Sequence, residues 1–114
     1  MAPPAVKATI WHHPRCSKSR AALALLHAAG VEVTVIDYLA TPPDAVELAR
    51  LYARAGLTPR QGLRRDAPPS LAGSADGVIL AAMAADPAII ERPLVETGRG
   101  VVLARPPELV HRIL

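Results

Sequence analysis

Between residues 31 and 38 the chain alternates: Val31, Val33 and Val35 are apolar and β-branched, Glu32 and Thr34 are polar, and Ile36-Asp37-Tyr38 closes the run. A period of two with β-branched residues on one side predicts a strand whose valines face inward. The preceding segment has a different period. Ala22, Leu25, Leu26 and Ala29 recur at helical spacing, and Gly30 follows where a left-handed terminal residue belongs, so residues 17–29 are predicted to form an amphipathic helix. Ahead of it, residues 8–12 are apolar and β-favouring and run into His13-Pro14, where proline's fixed φ and missing N–H end a regular strand. Strand, helix, strand makes a βαβ unit.

The middle of the chain reads as helices. Thr41-Pro42-Pro43-Asp44 marks a helix start, with Thr41 expected as the N-cap and Pro42 at the first helical position; this helix is expected to reach about Ala55 and stop at Gly56. A short helix over 59–64 follows, then a Pro/Gly/Ser-containing loop over 66–73. The next helix carries its apolar face on Val78, Ile79, Ala82 and Met83 and ends near Asp86-Pro87. Residues 94–96 and 101–104 flank Thr97-Gly98-Arg99-Gly100, a hairpin signal, and Pro106-Pro107 opens a terminal helix to Leu114. The order βαβ, helices, ββα is an α/β layout of the thioredoxin-like kind: a mixed four-stranded sheet flanked by helices, with a helical insertion between the two halves.

Length and composition narrow the class. With 114 residues, 51% of them apolar, a single domain over 1–114 is expected. No stretch approaches the roughly 18 to 20 apolar residues of a membrane span, and the N-terminus lacks a basic region leading into an apolar run and cleavage site. These patterns predict a cytoplasmic chain with no membrane partner. The net charge of +3 comes from arginines scattered along the chain, without a dense basic run or aromatic side chains to stack on bases, so no nucleic acid is implied and small anions remain candidate substrates.

The chain has one cysteine, which excludes an internal disulfide and fits a reducing compartment. Cys16 lies between the first strand's loop and the first turn of the first helix, where the N–H groups of residues such as Lys18 and Ser19 can point at its sulfur. The helix's positive end, with Arg15, Lys18 and Arg20 nearby, is expected to lower the thiol pKa and raise the reactive fraction.

Trp11-His12-His13-Pro14-Arg15-Cys16-Ser17-Lys18-Ser19-Arg20 resembles the active-site segment of the glutaredoxin-coupled arsenate reductases, which reads aromatic-His-Asn-Pro-x-Cys-x-x-Ser-Arg; His13 stands where that family has Asn. Thr41-Pro42-Pro43, Glu91-Arg92-Pro93-Leu94-Val95 and Ala104-Arg105-Pro106-Pro107-Glu108 match the same family in the same order. The resemblance implies Cys16 as nucleophile, His12 as a support for its thiolate, and Arg64, Arg92 and Arg105 as the guanidinium groups that bind the oxyanion. Arg65 is an alternative to Arg64, because the loop after it is shorter than the family's. Pro93 matches a proline that is cis in thioredoxin-like folds.

The resemblance further implies arsenate, or a similar oxyanion, as substrate, reduced through a covalent Cys16 adduct; the chain is expected to be a monomer. Ser19 occupies the place of a resolving cysteine, so an outside thiol is needed: glutathione as co-substrate, with glutaredoxin clearing the mixed disulfide. No bound cofactor or metal is implied. A metal site on His12, His13 and Cys16 is disfavoured, because adjacent strand residues point to opposite faces. A cysteine phosphatase would need Arg where Ala22 stands. Two other readings share the fold: a regulator that binds RNA polymerase, and a thiol reductase of the same family with another substrate. The regulators commonly carry Cys-x-x-Cys, which this chain lacks.

Overall fold

The structure is a computed structural model, and it describes residues 6–114. Its contacts divide the chain into two compact units, one built from the segment up to Asp37 together with Arg92–Leu114, the other from Tyr38–Glu91.

The first unit holds a four-stranded sheet in the order β2-β1-β3-β4, made of β1 (Lys7–His12), β2 (Glu32–Asp37), β3 (Leu94–Thr97) and β4 (Gly100–Leu103). β1 runs parallel to β2 and antiparallel to β3, and β3 and β4 form a hairpin closed by Gly98-Arg99. The sheet is therefore mixed, in the order the βαβ and ββα halves require. α1 (Ser17–Ala28) links β1 to β2 and packs with the terminal helix over a core of Ala8, Ile10, Ala22, Leu26, Val31, Val95, Ala104, Val110 and Ile113.

That terminal element, Pro107–Ile113, is a 3₁₀ helix rather than an α-helix. Its buried residues Pro107, Val110 and Ile113 recur every third position, which stacks all three in a single row at three residues per turn. Thr97 Oγ1 donates to the Ile113 carbonyl, and Arg99 Nη1 donates to that of Leu114, tying the chain end to the hairpin. Two expectations for this unit need correction. Ala29 is exposed, just past the helix. Val35 is 47% exposed, because β2 is an edge strand and only Val31 and Val33 reach the core.

The second unit contains α2 (Ala45–Ala55), a 3₁₀ turn at Pro59–Gly62, the short α3 (Pro69–Ala72), α4 (Asp76–Ala85) and a 3₁₀ turn at Pro87–Ile89. α2 starts later than expected. Its N-cap is Asp44, whose side chain accepts from the Glu47 N–H at 2.8 Å, and Thr41 lies outside. Pro43 disfavours helical geometry at Pro42, while a carboxylate is a strong cap. Gly56 ends α2 in the left-handed region, at φ 68°. The turn at Pro59–Gly62 is fixed by a reciprocal pair: Thr58 N–H donates to Gln61 Oε1, and Gln61 N–H to Thr58 Oγ1. The segment 66–73 holds one helical turn, α3, rather than loop throughout.

α2 and α4 pack together through Leu48, Leu51, Tyr52, Ile79 and Met83. Val78 is 53% exposed rather than on the buried face. Tyr52 Oη donates to Met83 Sδ at 3.7 Å, and the ring lies so close to Gly62 that a Cβ there would sit 2.3 Å from Cζ. Burial raises the Tyr52 pKa, with further upward contributions from Glu91 and Tyr38.

Candidate active site

The two buried stripes of the first unit converge just before Cys16. Along β1, Ala8 and Ile10 face α1, and a period of two puts His12 on that same side. Along α1, Ala22 and Leu26 face the sheet, and Ser19 lies one turn earlier on the same stripe, fully buried. The two polar residues therefore meet: His12 Nδ1 and Ser19 Oγ are 2.6 Å apart. Ser19 Oγ also accepts from the His13 N–H at 3.1 Å. The hydroxyl thus ties the end of β1 and the loop after it to the first turn of α1.

That loop is a tight turn. Cys16 N–H donates to the His13 carbonyl at 3.0 Å, with Pro14 and Arg15 in the two central positions. His13 Nδ1 accepts from the Arg15 N–H at 3.1 Å, and Arg20 Nη1 donates to the Pro14 carbonyl at 3.0 Å. Cys16 is the N-cap residue of α1, in extended geometry, and its carbonyl accepts from the Arg20 N–H. It offers no side-chain oxygen as a cap. Its sulfur receives the N–H groups of Ser19 and Lys18 instead.

The arginines come from the far end of the chain. Arg92 stands just before β3 and Arg105 just after β4, each followed by a cis proline, at Pro93 and Pro106. The Arg92 side chain donates to Cys16 Sγ. Arg105 Nη1 lies 3.9 Å from the same sulfur and donates to the Arg92 carbonyl at 3.1 Å. Partial burial pushes the Cys16 thiol up. The N–H of Ser19, the Arg92 side chain, the N–H of Lys18 and the Arg92 charge outweigh it, and the net pKa lies below the ordinary 9.0. The positive charge at the sulfur comes from Arg92 and Arg105, both distant in sequence. Of the local cations expected to act on it, Arg20 is turned to the Pro14 carbonyl.

Burial lowers the His12 pKa below its ordinary 6.5. The nearby His13 and Arg20 lower it further, against an upward pull from Asp37, the partner of His12 across β1 and β2. A neutral His12 ring bonded to Ser19 is the state this surrounding favours.

Of the five residues singled out for the site, the structure brings together Cys16, Arg92 and Arg105, and joins His12 to them through Ser19 and the His13 backbone. Arg64 belongs to the Tyr38–Glu91 unit. Its Nη1 pairs with Glu91 at 3.0 Å and its Nε with Asp66 at 3.3 Å. It lines a cavity of about 250 Å³ with Arg60, Arg65, Pro68 and Pro69. Arg65 is exposed. Sequence reasoning gave the Ser19 backbone N–H a place at the sulfur, and its side chain only the place of an absent cysteine. The signal for its structural part was its position three residues before Ala22, on the helix's buried stripe.

A thiol of lowered pKa at the start of the helix in a βαβ unit, with guanidinium groups delivered to it from the two ends of a ββ hairpin, defines a thioredoxin-like thiol protein whose sulfur is faced by cationic groups. Residues 11–113 match the profile of the ArsC family. The chain is 41% identical over 112 residues to an arsenate reductase of Rhizobium meliloti, an alignment that covers 93% of this chain and 80% of that one. It is 38% identical over 115 residues to an arsenate reductase of Neisseria meningitidis, covering 92% and 96%. The solved structure of an arsenate reductase from Vibrio cholerae superposes with a TM-score of 0.90 at 40% identity, over 97% of this chain and 100% of that one. The chain belongs to the ArsC family.

Proposed function

We propose that this protein is a cytoplasmic, monomeric oxidoreductase that reduces arsenate to arsenite, with Cys16 as nucleophile and glutathione and glutaredoxin as the thiol donors. The observation that carries this reading is the sulfur of Cys16 facing two helix N–H groups and the guanidinium groups of Arg92 and Arg105. The names of the relatives point the same way.

The chemistry needs this arrangement. Near neutral pH arsenate is a tetrahedral anion, so a thiolate attacking it brings like charges together. Arg92 and Arg105 offset that repulsion and hold the oxyanion, each through charge-assisted hydrogen bonds of about 1.5–3 kcal/mol. The thiolate forms a sulfur–arsenic bond as one arsenate oxygen leaves as water. Glutathione then supplies the second sulfur. Arsenic takes up two electrons and departs as arsenite, the sulfurs of Cys16 and glutathione are left joined, and glutaredoxin returns Cys16 to the thiol.

His12, through Ser19, keeps the segment before Cys16 in register and so supports the thiolate. The resemblance gives Arg64 an anion-binding role as well; Arg64→Ala and Arg65→Ala, compared for their arsenate KM, decide which of the two has it. No helix among the described residues is long and apolar enough to cross a membrane.

Protection of Cys16 from alkylation tests the assignment. Arsenate should slow the reaction of native Cys16 with iodoacetamide, and Arg92→Ala should abolish the protection while leaving the thiol free to react. Protection equal in both proteins contradicts the anion site. Turnover that proceeds with thioredoxin and not with glutathione and glutaredoxin contradicts the donor.

A further inference from the structure

The turn that presents Cys16 is closed by a side chain that titrates. In a tight turn the first position favours Asn, Asp or Ser, because their short side chains accept the N–H two residues on. Here that position is His13, and its Nδ1 accepts from the Arg15 N–H at 3.1 Å. Nδ1 is the same number of bonds from the backbone as the Oδ1 of asparagine, so the ring makes the turn an asparagine would make. The same residue holds the loop by its backbone at both ends: its N–H donates to Ser19 Oγ, and its carbonyl accepts from the Cys16 N–H.

We infer that His13 is a positioning residue for Cys16, and that it closes the turn only as a neutral ring protonated on Nε2, so that acid opens the turn and disarms the thiol. Nδ1 accepts only while it carries no proton. A second proton on the ring puts an N–H against the Arg15 N–H, and the two donors repel. The turn then loses its side-chain bond, and the His13 carbonyl and N–H lose their anchor next to Cys16 and Ser19. An imidazole in an unstructured chain takes its second proton at about pH 6.5.

The other titratable or charged groups of this neighbourhood are His12 on β1, Arg15 and Cys16 in the loop, Lys18 and Arg20 on α1, Asp37 on β2, Arg92 before β3 and Arg105 after β4. His12 has its Nδ1 engaged by Ser19 and is pushed away from protonation by burial. His13 and Cys16 are the imidazole and the thiol of the loop itself.

The inference rests on reading Cys16 as the reactive thiol, and its test uses no oxyanion, so it stands apart from the identity of the substrate. Alkylation rates of Cys16 are measured against pH for the native protein, His13→Asn and His13→Ala. Above the imidazole range, His13→Asn should react within about twofold of native and His13→Ala about threefold to tenfold more slowly, the range that one hydrogen bond allows. Through the imidazole range the native rate should fall below that of His13→Asn by a similar factor, beyond the shared titration of the thiol. The nitrogen resonances of the native ring, read by NMR above that range, should show Nδ1 without a proton, a readout independent of how the variants fold. A protonated Nδ1, an alanine variant as fast as native, or native and asparagine curves that superimpose would each overturn the inference.

Discussion

Ser19→Ala removes one oxygen from a fully buried position and strands two partners. A buried polar group left without its hydrogen bond costs about 1–3 kcal/mol. His12 Nδ1, paired at 2.6 Å in a buried ring, belongs at the upper end of that range; the His13 N–H, paired at 3.1 Å and only partly buried, belongs at the lower end. Together they give about 2–4 kcal/mol, or a folded-to-unfolded ratio lower by roughly thirtyfold to a thousandfold. Urea unfolding followed by the fluorescence of Trp11, the only tryptophan and a neighbour of His12 on β1, reads this unit directly. At a slope of about 2 kcal/mol per molar urea, the midpoint should fall by roughly 1–2 M with the slope unchanged. Ser17→Ala, at an exposed position one turn-step away, should stay within about 0.5 kcal/mol of native. A Ser19→Ala midpoint no lower than that of Ser17→Ala would refute the claim that the hydroxyl ties β1 to α1.

Gly62→Ala should destabilise the chain by about 1–3 kcal/mol in thermal or urea unfolding, because its Cβ would sit 2.3 Å from the buried Tyr52 ring; an unchanged midpoint would show that the ring moves freely. Cys16 makes stability depend on pH. Between its lowered folded pKa and 9.0 the unfolded chain holds a proton that the folded chain has released, so stability rises with pH across that window, is full above 9.0, and is lost as pH falls through the folded value; Cys16→Ser should flatten this slope in unfolding curves. His12 acts in the same direction at lower pH. Its folded pKa lies below 6.5, so the unfolded chain binds the proton first, stability is retained above 6.5 and falls as pH drops through the window beneath it, and His12→Asn should reduce that acid sensitivity.

Much of this was legible in the sequence. The periods of two and of 3.6 placed β1, α1 and β2 within a residue or two, and Gly56 stopped α2 where a left-handed residue was needed. The position of Cys16 ahead of a helical run was enough to foresee the N–H groups of Lys18 and Ser19 at its sulfur. The differences have physical causes that local pattern does not carry. Thr41 and Asp44 both qualify as caps, and the choice fell to Asp44 because of what consecutive prolines do to the backbone. Val35 and Val78 are apolar and in register with their elements, yet exposed, since which face a neighbour covers is settled by tertiary packing. The three-residue spacing of Pro107, Val110 and Ile113 was a readable sign of the 3₁₀ geometry. Arg92 and Arg105 came from the family resemblance; nothing in their own surroundings shows that the β3–β4 hairpin returns both to Cys16. Ser19 carried the plainest unread signal, a polar residue on a buried helical stripe opposite a histidine on a buried strand face.

The central claim is that Cys16, its thiol pKa lowered and its sulfur faced by Arg92 and Arg105, reduces arsenate. The most direct measurement is the rate of arsenite formation from arsenate with glutathione and glutaredoxin, in the native protein, Cys16→Ser and Arg92→Ala. The account predicts turnover in the native protein, none above background in Cys16→Ser, and a kcat/KM at least tenfold lower in Arg92→Ala, corresponding to the loss of about 1.5–3 kcal/mol of charge-assisted bonding. Native protein that forms no arsenite with Cys16 in the reduced state, or Cys16→Ser that forms as much as native, would contradict it.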